Sequence, residues 1–470
     1  MTTIDMPGLR RQAVSVTRKM AASLPGLRQM AEEKGLKIHH LGAGYPHPEV
    51  TDPRGFLTHQ QAYFEHLAGN EGLNDADAVP EYLRESYSYT DTLGPRSVRE
   101  TFARAYGNDW RIQLDADRMV PTVGATGGIN LVCSMFERPG TPVAYITDAP
   151  TYAGFLARSA LCHHARVFSV EMDDEGPLVD VFVSQIRAAR EAGYEVPLYY
   201  TVPDGHNPAG FSFSQSRREQ ILAAARAERI LIVEDAPYVY INYTSGAQRT
   251  RPFFAMAPEQ TVHLFTGSKI GFPGPRVGFL YSEAKLAIAG GVEVDLTEFA
   301  VTEASADMLF QNPAALYGFE ALLHRPGEEG GFAERGTFWE LAEGKLAVYR
   351  EMRQIMLEGL ERGLGAWPEH FGWTHPDAGF FTVFTFRDGS VRTDEAFTND
   401  LVTNYGVVAI PMYDFYPEDA RDRDANAGFD QLRLSFCFSE SAGEDRRRDL
   451  TEAVDAFCAA VREMFELTRE

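Results

Sequence analysis

Short apolar runs alternate with longer amphipathic segments through the first two thirds of the chain. Such runs are typical of buried strands, and the segments between them carry apolar residues at helical spacing. The pattern predicts strands over residues 118–123, 143–147, 165–170, 197–202, 230–233 and 262–265, together with helices over 97–106, 129–136, 154–162, 180–192 and 214–228. This alternation predicts βαβ units and an α/β fold, with a mostly parallel central sheet flanked by helices.

The alternation stops at residues 325–331, a stretch rich in glycine that predicts a domain boundary. Outside the alternating region we predict helices over 8–34, 340–363 and 449–467, strands within 373–386, 407–410 and 431–438, and a loop over 418–430. We therefore expect three parts. Residues 1–55 are an N-terminal segment that contributes to the small domain, 56–330 form the large domain, and 331–470 form the smaller C-terminal α+β domain.

Composition excludes several classes of protein. The 470 residues carry 44 basic and 67 acidic side chains, a net charge of −23, which disfavours binding to nucleic acid or to an anionic membrane. The four cysteines lack the spacing of a zinc site or a disulfide framework, and no His or Cys cluster predicts a metal. No apolar run approaches the ~20 residues of a membrane helix. We expect a soluble cytoplasmic protein without a metal.

Residues 265–278 carry the strongest chemical signal. They follow a predicted buried strand and combine Thr266, Ser268, Lys269 and Arg276 with a turn rich in glycine and proline. A lysine at the end of a buried strand is partly desolvated, which favours the neutral amine that can form an imine with an aldehyde. The tight turn can direct Lys269 and Arg276 at one small anionic molecule.

Polar residues also follow other predicted strands. Asn207, Asp235 and Lys269 each stand at the C-terminal end of an apolar run, the edge at which parallel α/β sheets bind ligands. Residues 124–128 form a glycine-rich turn that opens a helix, and free N–H groups at a helix start attract anions. We predict one shared site at this edge.

A phosphorylated aromatic aldehyde would use all of these residues. Its phosphate would contact Arg276, Thr266, Ser268, Thr126 and the N–H groups after Gly124, including that of Ala125. Asp235 would pair with a protonated ring nitrogen, although a structural arginine is an alternative partner for this carboxylate. Asn207 and Tyr238 can hydrogen-bond a ring oxygen, and Tyr152 offers a face for stacking. His206 is expected to be a loop residue or a supporting hydrogen-bond partner of its neighbours.

These motifs resemble a known family. Tyr152, Asn207-Pro208-x-Gly210, Asp235-x-x-Tyr238, Ser268-Lys269 and Arg276-x-Gly278 are similar to the fold-type I pyridoxal-phosphate enzymes, specifically the class I/II aminotransferases. The resemblance implies pyridoxal 5'-phosphate as cofactor, bound mainly by residues 56–330, and Lys269, Asp235 and Tyr238 as catalytic residues. Residues 268–278, with Ile410-Pro411 and Phe415-Tyr416-Pro417, are similar to the valine–pyruvate subgroup.

The same resemblance implies further site residues and an assembly. Tyr89 would reach the phosphate of a neighbouring subunit, so the active sites would be shared in a homodimer. Arg433 would hold the substrate α-carboxylate, because a bidentate guanidinium suits this task better than an amine. Gly44 would lie over the substrate.

The substrate is predicted from the stretch after the lysine turn. The resemblance implies that enzymes of this kind that take acidic amino acids often hold the side-chain carboxylate with an arginine of the partner subunit in this stretch. No arginine follows Arg276 before Arg325, so a second substrate carboxylate would lack a counter-charge. Nearby residues are apolar, namely Phe299, Met308, Leu309 and Phe310, and Tyr45 adds an aromatic wall. We therefore predict a ping-pong transfer of the amino group from an apolar or aromatic L-amino acid to a 2-keto acid. Alternatives are β-elimination, decarboxylation, epimerisation or oxidation with the same cofactor, or a non-catalytic module that binds it.

Overall fold

The computed structural model describes residues 16–71, 79–328, 330–387, 389, 391–437, 439 and 441–466 of the protein. The described helices are α1 (Val16–Glu33), α2 (Pro53–Asn70), α3 (Glu81–Ser86), α4 (Arg96–Trp110), α5 (Gly124–Phe136), α6 (Ala153–Ser159), α7 (Val179–Glu191), α8 (Gln215–Glu228), α9 (Phe253–Met256), α10 (Leu296–Asp307), α11 (Pro313–Glu320), α12 (Phe338–Leu364), α13 (Glu395–Tyr405), α14 (Glu418–Arg423) and α15 (Gly443–Met464).

The described strands are shorter than most of the helices. They are β1 (His39–His40), β2 (Met119–Val123), β3 (Val143–Ala149), β4 (Ala165–Asp173), β5 (Gly176–Pro177), β6 (Glu195–Thr201), β7 (Leu231–Asp235), β8 (Thr261–Thr266), β9 (Val277–Tyr281), β10 (Lys285–Ala287), β11 (Glu293–Asp295), β12 (His324–Pro326), β13 (Phe332–Glu334), β14 (Phe371–Trp373), β15 (Phe381–Phe386), β16 (Val407–Val408), β17 (Ile410–Pro411) and β18 (Gln431–Ser435).

A large sheet of eight strands forms the centre of the molecule, in the order β2-β9-β8-β7-β6-β3-β4-β5. The neighbours from β4 through β3, β6 and β7 to β8 pair in parallel, whereas β5, β9 and β2 join through antiparallel pairs. The prediction of a central sheet flanked by helices is confirmed, and the antiparallel edges make it mixed.

Helices cover both faces of the large sheet because its central strands are apolar on both sides. In β6 and β7, Tyr200 and Val233 face the core beneath α5, whereas Tyr199 and Ile232 face the core beneath α7 and α8. This burial on both faces explains why the strands appear in the sequence as continuous apolar runs.

A smaller sheet of four antiparallel strands, β14-β15-β18-β17, lies in the C-terminal part of the chain. The N-terminal strand β1 pairs in parallel with β16, so an N-terminal segment packs with the C-terminal part of the chain. Helix α12 joins the two parts: Leu346 and Tyr349 belong to the core of the large sheet, and Met352 and Met356 to that of the small sheet. The division at residues 55/56 and 330/331 stays a proposal.

Two local predictions need correction. The stretch 418–430 was expected to be a loop, but it begins with helix α14, which carries acids in its first turn and arginines in its last turn, the charge order that the helix dipole favours. Residues 124–128 are the first turns of α5 itself rather than a separate turn before it. The predicted elements at residues 8–15, 438 and 467 lie outside the described residues.

Among the helices that the structure describes, none has the length and apolar character needed to cross a membrane.

Candidate active site

A cavity of about 830 Å³ opens at the carboxyl ends of the central strands, between the large and the small sheet. Thirteen of the fourteen predicted site residues line it: Gly44, Tyr45, Ala125, Thr126, Tyr152, Asn207, Asp235, Tyr238, Thr266, Ser268, Lys269, Arg276 and Arg433. Most of them stand at or after the carboxyl ends of strands β6, β7 and β8 or where α5 and α6 begin, whereas Gly44, Tyr45 and Arg433 come from the other side of the cavity, near β1 and in β18.

Lys269 follows β8 and reaches into the cavity. Its Nζ donates a hydrogen bond to the carbonyl oxygen of Gly44 at 2.8 Å and lies 5.7 Å from the ring centroids of Tyr238 and Phe380. Burial lowers the pKa of Lys269 to about 8. A substantial fraction of the amine is therefore neutral near pH 8, and the neutral amine is the nucleophilic and basic form.

Asp235 is the last residue of β7 and is almost fully buried. Its Oδ2 accepts a hydrogen bond from the Tyr200 hydroxyl at 2.7 Å, whereas Oδ1 has no hydrogen-bond partner among the described residues. Burial raises the pKa of Asp235 to about 7, against the opposing effects of Tyr200 and Lys269. A buried carboxylate oxygen is costly unless a donor meets it, so this atom marks a place for a protonated group.

An anion cradle lies where α5 begins. The Arg276 guanidinium donates to Ser268 Oγ at 3.1 Å, and Ser268 Oγ also accepts from Thr266 Oγ1 at 3.0 Å. Gly124 has a φ of +63°, and a Cβ at this position would lie 2.6 Å from Arg276 Nη2. Only glycine leaves room for the guanidinium beside the first N–H groups of the helix, which together attract an anion.

Aromatic and amide groups complete the walls. The Tyr152 ring folds back over the start of α6, where a Cβ on Gly154 would lie 2.4 Å from it. The hydroxyl of Tyr152 hydrogen-bonds the Thr126 side chain. Asn207 is buried at the end of the segment after β6, and Tyr238 is buried against Phe380.

Arg433 comes from the other sheet, in the middle of β18. Its Nη1 donates to Asn207 Oδ1 at 2.8 Å and its Nη2 to the Gly42 carbonyl at 3.2 Å, while the guanidinium lies 4.0 Å from the ring centroid of Phe381. Burial lowers the pKa of Arg433 to about 10, so the group stays charged at neutral pH. Neither contact is a carboxylate, which leaves the positive charge for an anionic ligand.

Tyr89 is the predicted residue that this cavity does not include. Its side chain is 86% exposed and touches Phe310 edge to face, with 5.9 Å between the ring centroids.

Helix α1 lines the cavity, which the sequence did not indicate. It contributes charged and apolar groups, among them Arg18, Arg28 and Glu32 and the side chains of Met20 and Leu24. Conversely, Phe299, Met308, Leu309 and Phe310 do not line the cavity among the described residues of this chain. Because the argument from the stretch after Arg276 concerns residues of a partner subunit, it stays a prediction. The apolar walls are Leu24, Met20, Phe381 and Ile410 instead.

His206 is buried behind the site. Its Nδ1 accepts from the Ala209 N–H at 3.3 Å, so Nε2 carries the hydrogen and donates to Asp148 Oδ2 at 3.3 Å. This geometry agrees with a supporting residue next to Asn207. Within the described parts of the chain, no group of three or more His, Cys, Asp or Glu side chains is arranged to hold a metal ion.

The fold and these residues define a class of enzyme, and the sequence pattern of one family matches most of the chain. The family described as aminotransferase class I and II matches residues 81–436, and the protein belongs to it. It is therefore a pyridoxal-phosphate-dependent transferase that moves amino groups.

Two relatives and one solved structure are similar to this chain over most of its length. The chain is 28% identical to the (S)-3,5-dihydroxyphenylglycine transaminase of Amycolatopsis orientalis, over 90% of this chain and 88% of that protein. It is 23% identical to aromatic-amino-acid aminotransferase 1 of Thermococcus litoralis, over 77% and 78% of the two chains. The crystal structure of a kynurenine aminotransferase from Pyrococcus horikoshii shares the fold, with a TM-score of 0.73, 22% identity and coverage of 97% and 96%.

The cavity fits pyridoxal 5'-phosphate on three observations. It offers an anion cradle that a Cβ on Gly124 would fill, a partly buried lysine, and a buried carboxylate oxygen on Asp235 without a partner among the described residues. Phosphate, aldehyde and protonated ring nitrogen are the three groups that such a set of side chains would meet.

Proposed function

We propose that the protein transfers the amino group of an apolar or aromatic L-amino acid to a 2-keto acid by a ping-pong mechanism. The observation that carries the proposal is the position of Arg433. Its free positive charge lies beside apolar groups, Phe381 and Ile410, in the same cavity as Lys269. An α-amino acid with an apolar side chain presents the complementary pair of features, a carboxylate and an apolar group.

Each of the other residues has a proposed role. Arg276, Ser268, Thr266, Thr126 and the N–H groups of α5 from Ala125 onward would hold the phosphate, and Tyr152 would stack on the ring. When bound, the cofactor withdraws electrons from the amino acid's α-carbon, which weakens the bonds to that carbon. Lys269 Nζ would accept the proton from the α-carbon, because it is the basic nitrogen that reaches the middle of the cavity.

Asp235 Oδ1 would pair with the protonated ring nitrogen. Asn207 and Tyr238 would hydrogen-bond a ring oxygen, and Arg433 would hold the α-carboxylate against Gly44. These side chains come from both sheets, so the proposal needs the two parts of the chain in their observed arrangement.

The donor preference has support from the walls and from the relatives. Tyr45, Leu24 and Ile410 line the cavity with Phe381. One relative is a dihydroxyphenylglycine transaminase and another is an aromatic-amino-acid aminotransferase. Aromatic donors are therefore favoured over branched aliphatic ones, with overlap because one methylene changes selectivity by only ~1–3 kcal/mol.

The acceptor follows from helix α1. Arg18 and Arg28 line the cavity, and the buried Nε of Arg28 has no hydrogen-bond partner among the described residues. A keto acid with a second carboxylate would meet these cations, whereas pyruvate would not. We therefore favour 2-oxoglutarate as the acceptor.

We also propose a homodimer with shared active sites. The side chains of Tyr87 and Tyr89 are 81% and 86% exposed, which is unusual for aromatic residues. Tyr89 contacts Phe310, and the neighbouring Leu309 is also exposed. A second copy that covers this surface would bring Tyr89 to the neighbouring phosphate.

Amino-group exchange tests the proposed reaction. Purified enzyme is incubated with 2-oxoglutarate or pyruvate and with phenylalanine, valine, leucine or aspartate, and kcat/KM is compared. Phenylalanine with 2-oxoglutarate is expected to be the best pair, and the Lys269→Ala protein provides the background. Aspartate as the best donor would refute the preference for apolar donors. Release of ammonia, carbon dioxide or peroxide without exchange would replace the proposal by another reaction of the same cofactor.

A further inference from the structure

Tyr200 lies behind the proposed active site and outside the cavity wall. It belongs to β6 and is fully buried, and β6 pairs in parallel with β7, which ends in Asp235. Because side chains alternate along strands, Tyr200, Val233 and Asp235 lie on one face of the sheet. The Tyr200 hydroxyl donates to Asp235 Oδ2 at 2.7 Å.

The surroundings of Tyr200 hold its ring in place and keep its hydroxyl protonated. Its ring stacks on Phe155 with 4.0 Å between the centroids and 5° between the planes. Burial, with the nearby carboxylates of Asp235 and Asp148, holds the pKa of Tyr200 well above its ordinary value, so the hydroxyl remains a donor. A hydrogen bond to the charged form of a carboxyl group favours that form.

We propose that Tyr200 is a positioning residue for the cofactor: its hydroxyl keeps Asp235 ionised and turns Oδ1 toward the cavity, where the ring nitrogen would lie. This inference rests on the proposed role of Asp235. The new element is that Tyr200 acts through Asp235 Oδ2, whereas the ring nitrogen would meet Oδ1. Tyr200 would therefore control the charge at the ring nitrogen without touching the cofactor.

The direction of the effect follows from the hydrogen bond. Removing the donor raises the pKa of Asp235, so the carboxylate takes up a proton at a higher pH than in the unmodified protein. Among the described residues, the cation Lys269 and the neutral side chains of Tyr152 and Tyr238 also interact electrostatically with Asp235, and the substitution leaves all three in place.

The chain offers a matched control in the preceding residue. Tyr199 is equally buried on β6, and its hydroxyl also donates to a buried aspartate, Asp148. It faces the opposite side of the sheet, and Asp148 does not line the cavity. Tyr199→Phe and Tyr200→Phe therefore remove the same group from similar surroundings, but only one is expected to act on the cofactor.

The test measures the affinity of the cofactor-free protein for pyridoxal phosphate as a function of pH. It also uses the 1-deaza analogue, in which carbon replaces the ring nitrogen. For Tyr200→Phe we expect the pH below which affinity for pyridoxal phosphate falls to move upward by about one unit. With the deaza analogue, the pH profile of Tyr200→Phe is expected to match the profile of the unmodified protein with the same analogue. Tyr199→Phe is expected to leave the profiles with both ligands unchanged.

Two results would overturn the inference. One is an unchanged midpoint in a folded Tyr200→Phe protein, and the other is an equal shift with the deaza analogue, which would indicate a general loss of structure. If Tyr200→Phe does not fold, 3-fluorotyrosine at position 200 keeps the shape, strengthens the donor and should move the midpoint downward. Its failure to do so would equally refute the role. Failure of the unmodified protein to bind pyridoxal phosphate would instead refute the proposed function.

Discussion

Replacing Arg433 with lysine tests how the site recognises the α-carboxylate. The guanidinium has Nη1 on Asn207 and Nη2 on Gly42, and it is 3% exposed. Lysine keeps the positive charge but loses the planar fork, so it cannot keep both contacts and also bind a carboxylate with two parallel hydrogen bonds. The substitution should therefore weaken substrates that carry a carboxylate at the α-carbon.

The expected magnitude follows from the hydrogen bonds that lysine cannot replace. One hydrogen bond to a charged group contributes ~1.5–3 kcal/mol. At ~1.36 kcal/mol per tenfold change in rate, this corresponds to a loss of about 10- to 150-fold in kcat/KM. Truncation to alanine should cost more, because Asn207 Oδ1 would lose its donor in a buried place.

The assay compares phenylalanine with 2-phenylethylamine, which lacks the carboxylate, in the first half-reaction. In Arg433→Lys the preference for phenylalanine is expected to fall by the factor above, while the rate with the amine changes little. Arg446→Lys is the control, because Arg446 is similarly buried but its guanidinium is occupied by Glu49 and Glu351. A preference unchanged within about threefold in Arg433→Lys would refute the assignment.

Three further predictions concern charge and assembly. Asp235→Asn keeps the shape of the side chain and removes its charge, so turnover should fall by much more than tenfold, with a modest loss of cofactor affinity. A tenfold change in rate corresponds to ~1.4 kcal/mol. Turnover within tenfold of the original would point to another partner for the ring nitrogen. The rate at which cofactor-free protein captures the aldehyde should rise as pH increases through about 8, because the buried Lys269 amine becomes neutral there; a rate independent of pH from 6 to 10 would contradict this. Sedimentation should give twice the chain mass of 52.3 kDa, and mixing inactive Tyr89→Phe and Lys269→Ala chains should restore part of the activity; a fully active monomer would exclude shared sites.

Much of the candidate site could be predicted from the sequence because many of its residues follow strands whose apolar runs are easy to recognise. Asn207, Asp235 and Lys269 stand at the ends of β6, β7 and β8 or just after them, and the edge of a parallel sheet brings such positions together. The strand cores were predicted to within a few residues for the same reason.

The parts that could not be predicted depend on tertiary contacts between distant segments. Helix α1 carries a periodic pattern, but nothing in it indicates that Arg18 and Arg28 line the cavity. Tyr200 appears in the sequence as one more apolar residue of a buried strand, because its partner on β7 becomes a neighbour only through the pairing of the two strands. Helix α14 was not predicted because its many charged residues are also typical of a loop.

Covalent capture of the cofactor by Lys269 tests the central claim most directly. The protein is loaded with pyridoxal phosphate, reduced with borohydride, digested and analysed by mass spectrometry. The control is Lys345→Ala, because burial also lowers the pKa of Lys345 to about 8. We expect the cofactor mass on Lys269 in the unmodified and Lys345→Ala proteins, with amino-group exchange intact. Lys269→Ala should bind the cofactor without covalent capture and lose turnover by at least ~10²-fold. Label on another lysine, or near-normal turnover in Lys269→Ala, would contradict the account.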